Sequence, residues 1–239
     1  MQKPKNPIIV ENLKPNGQRA KNAIALLWIV LVLDVISLAS GYLQYDLIQT
    51  VASGGEITDE TAHANDLREQ IIGVTYLIAL IVSGVTFIQW FRRAYYNLHL
   101  KVNTLSYAEG WAAGAWFVPI LNLFRPYQIM SELYKETKIL LAQKGVRMGD
   151  KISVSLLGFW WTLWILNNII GQIVWRVPTD TIGELSFATI ASMAANIVGI
   201  PLALIAIKIV KDYSDVEPYL DELRDEDEIL THLVGVAKI

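Results

Sequence analysis

The sequence predicts an all-α fold, a polytopic membrane helix bundle with four transmembrane helices, one re-entrant or interfacial segment and a cytoplasmic amphipathic surface helix. Three observations carry this expectation. Four apolar runs are each long enough to cross the hydrocarbon of a bilayer. A fifth apolar stretch, inside Glu109–Tyr127, is too short to cross and is broken by Gly110, Gly114, Pro119 and Pro126. If that stretch stays on one side, every basic cluster falls on the same side, as the bias of Lys and Arg toward the cytoplasm demands.

Composition agrees. Hydrophobic residues make up 53% and charged residues 18% of the 239, against roughly 45–50% and about 25% in soluble chains. Mean hydropathy is +0.37. There is no cysteine, which excludes disulfides, thiolate nucleophiles and cysteine-based metal or iron–sulfur sites. The net charge of −3 hides an asymmetry: bases gather in the N-terminal tail and central loop, acids near the C-terminus.

Residues 1–22 carry Lys3, Lys5, Lys14, Arg19 and Lys21 against Glu11 and read as a basic cytoplasmic tail. Residues 23–43 form the first span, reaching roughly 31 Å at about 1.5 Å per residue. Ser37-Leu38-Ala39 loosely resembles a cleavage site, but Asp34 interrupts the apolar region, so the run is read as a retained span rather than a signal peptide. An acidic loop follows. In it Thr58 precedes Asp59 and Glu60, a helix N-cap with acids in the first turn. The second span, 71–91, then runs on into Arg92, Arg93 and Asn97.

The apolar part of the broken stretch, Trp111–Leu123, has the length of a re-entrant or interfacial segment (109–127) rather than a span. Were it to cross, Arg125, Lys135, Lys138, Lys144, Arg147 and Lys151 would face away from Arg92 and Arg93. Residues 126–143 place Pro126, Ile129, Met130, Leu133, Thr137, Leu140 and Leu141 at helical spacing, with Gly145 placed to stop the helix. This surface helix is expected to lie along the membrane. The third span is 152–175 and the fourth 185–210. In the fourth, Ala191, Ala195, Gly199 and Ala203 form a small-residue row that permits close helix approach, and Pro201 removes an amide and loosens the Ile197 carbonyl. The acidic cytoplasmic tail, 212–239, holds a candidate capping box, Ser214 and Glu217, and an amphipathic pattern of Val216, Leu220, Leu223, Leu230 and Leu233. A solvated acidic face is the simpler reading of this block; docking onto the basic loop or tail is the other.

Four blocks occur in order: Trp90-Phe-Arg92-Arg93-Ala-Tyr-Tyr-Asn97; Gly110-Trp111; Trp116-Phe-Val-Pro119-Ile-Leu-Asn122-Leu-Phe-Arg125-Pro126-Tyr127; and Gly158-Phe-Trp160-Trp161 with Asn167. Together they resemble the bacterial membrane-protein family catalogued as domain of unknown function 4328, with the block from Trp116 to Pro126 as the most specific part. The resemblance runs from about the second helix to the end of the fourth. It implies a four-helix bacterial membrane protein and carries no activity across. The placement of the basic residues, read separately, puts both termini in the cytoplasm of a multi-pass protein of the inner (cytoplasmic) membrane.

Candidate site residues fall into two groups. Arg92, Arg93, Asn97, Trp116, Pro119, Asn122, Arg125 and Pro126 are expected at the cytoplasmic membrane surface, with Arg92, Arg93, Asn97, Asn122 and Arg125 as one polar cluster. A dip leaves backbone groups that need partners, which Asn122 can supply, and the guanidinium of Arg125 suits a carbonyl, a carboxylate such as Glu109 or Glu132, or a lipid phosphate. The intramembrane polar residues are Asp34, Asn167, Asn168, Gln172 and Asn196. A central charge costs about 2.5–3.5 kcal/mol on insertion scales, so Asp34 is expected to be buried, paired or protonated, either handling a proton or cation or joining helices through one of those amides. Asn168 and Gln172 share a face with Trp161, Trp164 and Trp175 and read as glue between helices.

His63 with Asp59 and Asp66 has helical spacing for a metal, but a single histidine without a loop signature reads as a solvated face; His99 and His232 stand alone. No phosphate loop, Ser/His/Asp set or HExxH is present, and no cofactor or enzyme activity is expected. The basic face lies against a membrane, where anionic lipid head groups explain it rather than nucleic acid. Two functions follow: a non-catalytic component binding lipid, a partner membrane protein or a second copy at the cytoplasmic surface, or a small oligomeric transport or permeation unit using 109–127 and Asp34. No internal repeat of the transporter kind supports the second.

Overall fold

In the computed structural model, residues 12–143, 145 and 152–221 are described. Among them the chain is all helical: α1 (Gly17–Ala52), α2 (Asp59–His99), α3 (Trp111–Gly114), a 3₁₀ turn (Leu121–Leu123), α4 (Arg125–Gln143), α5 (Val154–Arg176) and α6 (Ile182–Val216). Helices α1, α2, α5 and α6 are long and apolar enough to cross a membrane; the runs 23–43, 71–91 and 185–210 lie within α1, α2 and α6, and 152–175 begins two residues ahead of α5. Local signals mark several of the helix ends. Thr58 Oγ1 accepts from the Thr61 amide at 3.2 Å, the expected cap of α2. Gly54 at φ +86° follows α1, and Gly145 at φ +79° follows α4, where only glycine adopts that conformation without strain. The start of α6 is a capping box: the Glu184 amide donates to Thr181 Oγ1, and the Thr181 amide donates to Glu184 Oε2.

The chain divides into two compact units, one of residues 19–87 and 155–211, the other of residues 1–18, 88–154 and 212–239. The first holds the apolar helices. Its surface and interior are inverted relative to a soluble protein: Trp28, Ile29, Val32, Ile78, Ile81 and Ile197 are exposed, whereas Asp34, Ser40 and Ser83 are buried. Helix α1 runs antiparallel to α2 and to α6. Asp34 and Ser40 meet Tyr76 and Arg68 of α2, while Gly41 and Gln49 meet Met193 and Ser186 of α6. At the Ser40 end, Arg68 donates to Ser40 Oγ at 2.8 Å and to Asn65 Oδ1 at 2.6 Å, and pairs with Glu69 at 3.3 Å. Phe87 packs on Trp160 with ring centroids 5.7 Å apart.

The second unit is built around α4 and the end of α6. Ile129, Met130, Leu133, Tyr134 and Leu141 are buried, and Tyr213 fills the space beside them, 5.6 Å from Tyr134 and 6.1 Å from Trp90 between ring centroids. Thr137 Oγ1 and the Tyr213 hydroxyl lie 3.2 Å apart, which satisfies two polar groups inside an apolar core. The apolar stripe of residues 126–143 is therefore occupied by protein. The expectation that this stripe meets the membrane is corrected: burial in a core gains the same apolar area.

A second correction concerns Ser214 and Glu217. Helix α6 continues through Ser214 to Val216, so no new helix starts there and the pair is not a capping box. Leu223, Leu230 and Leu233, the acids beyond Asp221, Lys3, Lys5, Lys144, Arg147, Lys151 and His232 lie outside the described residues.

Candidate functional site

The broken stretch forms a tip on the second unit. Four-residue α3 ends at Gly114, and the chain then turns through Pro119 and Ile120 into the 3₁₀ turn before Pro126 enters the first turn of α4, a position proline tolerates. Ile120 has φ 70° and ψ −53°, and the Leu121 amide donates to the Pro119 carbonyl at 2.8 Å. This is a γ-turn of the rare positive-φ kind, on a β-branched residue that resists it. Its side chain makes no compensating core contact: Ile120 is 74% and Phe117 73% exposed, and Trp111, Val118, Leu123 and Phe124 are exposed with them. Ala112 and Ala115, by contrast, are fully buried. Small residues tie the tip down and large apolar ones point away.

Arg125 stands at the base of this tip. Its guanidinium lies over the Tyr107 ring at 4.6 Å and near Phe124 at 5.9 Å, and among the described residues no carboxylate pairs with it. Glu109 and Glu132, the acids expected for it, are engaged elsewhere. Glu109 pairs with Arg92 at 3.0 Å. Glu132 accepts from the Tyr95 hydroxyl at 2.6 Å and the Ser106 amide at 2.7 Å, and burial, with that carboxylate second, pushes the Tyr95 phenol far above its usual range. Trp116 donates its indole N–H to the Ala112 carbonyl within the tip. Asn122 Oδ1 is buried without a hydrogen bond among the described residues.

Asn97 belongs to a different knot in the same unit. It is 1% exposed. Its Oδ1 accepts from the Lys14 amide and its Nδ2 donates to the Lys14 carbonyl, both at 2.9 Å, so the side chain reads the backbone of the segment preceding α1 as a neighbouring strand would. Asn97 Nδ2 also donates to Glu217 Oε1 at 2.7 Å, and Asn16 Nδ2 donates to Glu217 Oε2 at 2.9 Å. Glu217 lies beyond the apolar run of α6 and is 6% exposed. Burial raises its pKa, and the bonds from Asn97 and Asn16 and the charge of Arg93 only partly counter this. Arg93 itself lies over the Tyr96 ring at 5.7 Å. Nearby, Trp90 Nε1 donates to Ser214 Oγ at 3.1 Å, and Lys101 reaches Asp221 at 3.9 Å. A cavity of about 410 Å³ opens beside the knot, lined by Lys14, Asn16, Asn97, Ser214, Glu217 and Asp221 among others. Of the five residues expected as one polar cluster, Arg92 contacts Glu109, Asn97 holds Lys14 and Glu217, Arg93 lies over Tyr96 and sets its charge near Glu217, Arg125 lies over Tyr107, and Asn122 Oδ1 has no partner among the described residues.

Among the apolar helices Asp34 is 1% exposed. Its Oδ1 accepts from the Tyr76 hydroxyl at 2.9 Å, and its Oδ2 is buried with no hydrogen bond among the described residues. The partner is a tyrosine of α2 rather than Asn167, Asn168, Gln172 or Asn196. Asn168 donates to the Trp164 carbonyl of its own helix at 2.7 Å; Asn168 and Gln172 are exposed on α5, and Asn167 and Asn196 are half-buried. Gly199 of α6 faces Asp34 so closely that a Cβ there would lie 2.8 Å from Oδ1 and 2.9 Å from Oδ2. Sequence reading passed over Tyr76, Asn16 and Tyr107. Tyrosine in an apolar run carries no periodic signal, and Asn16 meets Glu217 across 201 residues of chain.

Among known proteins, a family model described as a domain of unknown function (DUF4328) matches residues 53–215. No curated protein and no solved structure matches the chain.

Proposed function

The chain belongs to the DUF4328 family, and on that premise we propose that it is a non-catalytic component of a bacterial inner membrane that grips lipid head groups through the unit carrying the broken stretch. Both termini are cytoplasmic in this reading, and the tip at 111–124 enters the inner leaflet from that side without crossing. One observation supports it above the rest. Six large apolar side chains, Trp111, Phe117, Val118, Ile120, Leu123 and Phe124, are exposed on one short stretch, directly before an arginine that no described carboxylate neutralises. Exposed apolar surface of this concentration marks a membrane or protein contact. A guanidinium with free donors beside it matches a phosphate. A partner membrane protein or a second copy of the chain is the other occupant such a surface accepts.

The experiment uses the absence of native cysteine. Phe117→Cys and Lys135→Cys are introduced singly into the full chain in sealed membrane vesicles. Lys135→Cys is expected to react with an impermeant maleimide from the cytoplasmic face only, and Phe117→Cys to be protected until detergent is added. Labelling of Lys135→Cys from the opposite face overturns the topology. Arg125→Gln is expected to retain less anionic phospholipid on purification while remaining folded. Unchanged lipid retention, with a protein co-purifying through the tip instead, overturns the lipid reading.

A further inference from the structure

We propose that Asp34 is a proton-binding site inside the bundle, a carboxylic acid that gives its proton to water only when α6 draws away from α1 at Gly199. This goes beyond the surface reading and stands on other residues. Three features of one place carry it. First, Asp34 is fully enclosed, yet no Lys, Arg or His pairs with it among the described residues. The titratable group that meets it from α2 is Tyr76, which donates at 2.9 Å, and α6 meets it with the bare Cα of Gly199. A carboxylate held so would be an uncompensated charge in hydrocarbon. Second, the two oxygens are unequal. Oδ1 accepts a hydrogen bond, as a carbonyl oxygen does, whereas Oδ2 is buried and, among the described residues, neither accepts nor donates one. The geometry assigns the proton to Oδ2. Third, the helix that closes the site from one side is weakened there. Gly199 follows Ala191 and Ala195 in the small-residue row of α6, and Pro201, two residues on, deprives the Ile197 carbonyl of its helical donor. The helix is weakest where it covers the acid.

The occupant is the proton rather than a metal ion. Magnesium and calcium take about six or more oxygen ligands, whereas one carboxyl and one phenol converge here. The transfer itself is simple: the Oδ2–H bond breaks, its electron pair stays on the carboxylate, and the proton passes to a water admitted when the helices part. Rebinding restores the neutral acid and the closed packing.

Infrared difference spectroscopy on the full chain in lipid nanodiscs tests this. Wild type minus Asp34→Asn at neutral pH is expected to show one protonated-carboxyl stretching band, which the substitution removes. Tyr76→Phe is expected to move that band to higher frequency without abolishing it, because the carbonyl Oδ1 loses its donor. Gly199→Ala, whose methyl collides with both oxygens, is expected to speed deuterium exchange of the band or remove it. Should Gly199→Ala fail to fold, Tyr76→Phe carries the test alone. Superimposable spectra of wild type and Asp34→Asn in this region mean that Asp34 is ionised, and they overturn the proposal; so does a band unmoved by Tyr76→Phe.

Discussion

Gly199 and Asp34 occupy the same space so fully that the glycine cannot carry a methyl group without displacing the acid. A Cβ at 199 would stand 2.8 and 2.9 Å from the two carboxyl oxygens, well inside van der Waals contact. Gly73 and Gly171, also within long helices, have nothing within 4 Å of such a Cβ. The three glycines look alike in sequence and differ in what they face. Gly199→Ala is expected to destabilise by about 1–3 kcal/mol through overpacking. Gly171→Ala is expected to stabilise by about 0.5–1 kcal/mol, since alanine holds a helix better. Thermal unfolding of both variants in one detergent checks the contrast in sign.

Asn97 holds Lys14 through two backbone bonds and Glu217 through a third. Asn97→Ala leaves a buried carboxylate and two backbone groups short of partners, at a cost of about 3 kcal/mol. Asn97→Asp is expected to be worse at neutral pH because it sets a second carboxylate against Glu217. Acidification closes that gap. The two unfolding curves, measured at acid and neutral pH, report it.

Glu217 gives the second unit a pH dependence whose sign is fixed. Its folded-state pKa lies above the usual 4.5, chiefly through burial. The folded state then binds protons more readily than the unfolded chain, so stability is greatest below that value and falls as pH rises through the folded pKa. The slope for one such group is at most about 1.4 kcal/mol per pH unit. Glu217→Gln is expected to flatten the slope. A stability profile that rises through the same window in the wild type but not in the variant would show the sign to be reversed.

Ile120 stores strain at the tip. Its φ of 70° suits glycine, and a non-glycine residue held so costs of order 1–3 kcal/mol. Ile120→Gly is expected to raise thermal stability by about 1 kcal/mol while weakening attachment of the tip to lipid, since one of the two most exposed apolar side chains of the tip is gone. Unfolding in detergent reads the first effect and fluorescence quenching of Trp111 and Trp116 by lipid-borne quenchers reads the second.

The helices were legible because hydrophobic runs and caps are local signals: Thr58, Gly145 and the four apolar runs lie where the elements begin, end or cross. The capping box at Thr181 and Glu184 is equally local, a T-x-x-E signal just ahead of the fourth apolar run. Helix α4 was legible as a helix but not in its surroundings. An amphipathic stripe gives its direction without saying whether lipid or Tyr213 fills the other side. The knots of polar side chains were not legible at all. Asn97 and Glu217 stand 120 residues apart, and Tyr76 looks like any aromatic anchor until α1 sets a carboxyl beside it. Long-range pairs leave no period in the chain.

The bond between Asn16 and Glu217 also orders how the molecule is made. A ribosome delivers the segment ahead of α1 first and the end of α6 last, and loop closure over so great a separation cannot begin until both exist. Asn97 and Tyr134 must therefore wait, with apolar and amide surface bare, until the last helix has been made. A nascent chain stalled before residue 213 would present that surface to chaperones and proteases, which makes the last turn of α6 a checkpoint for assembly.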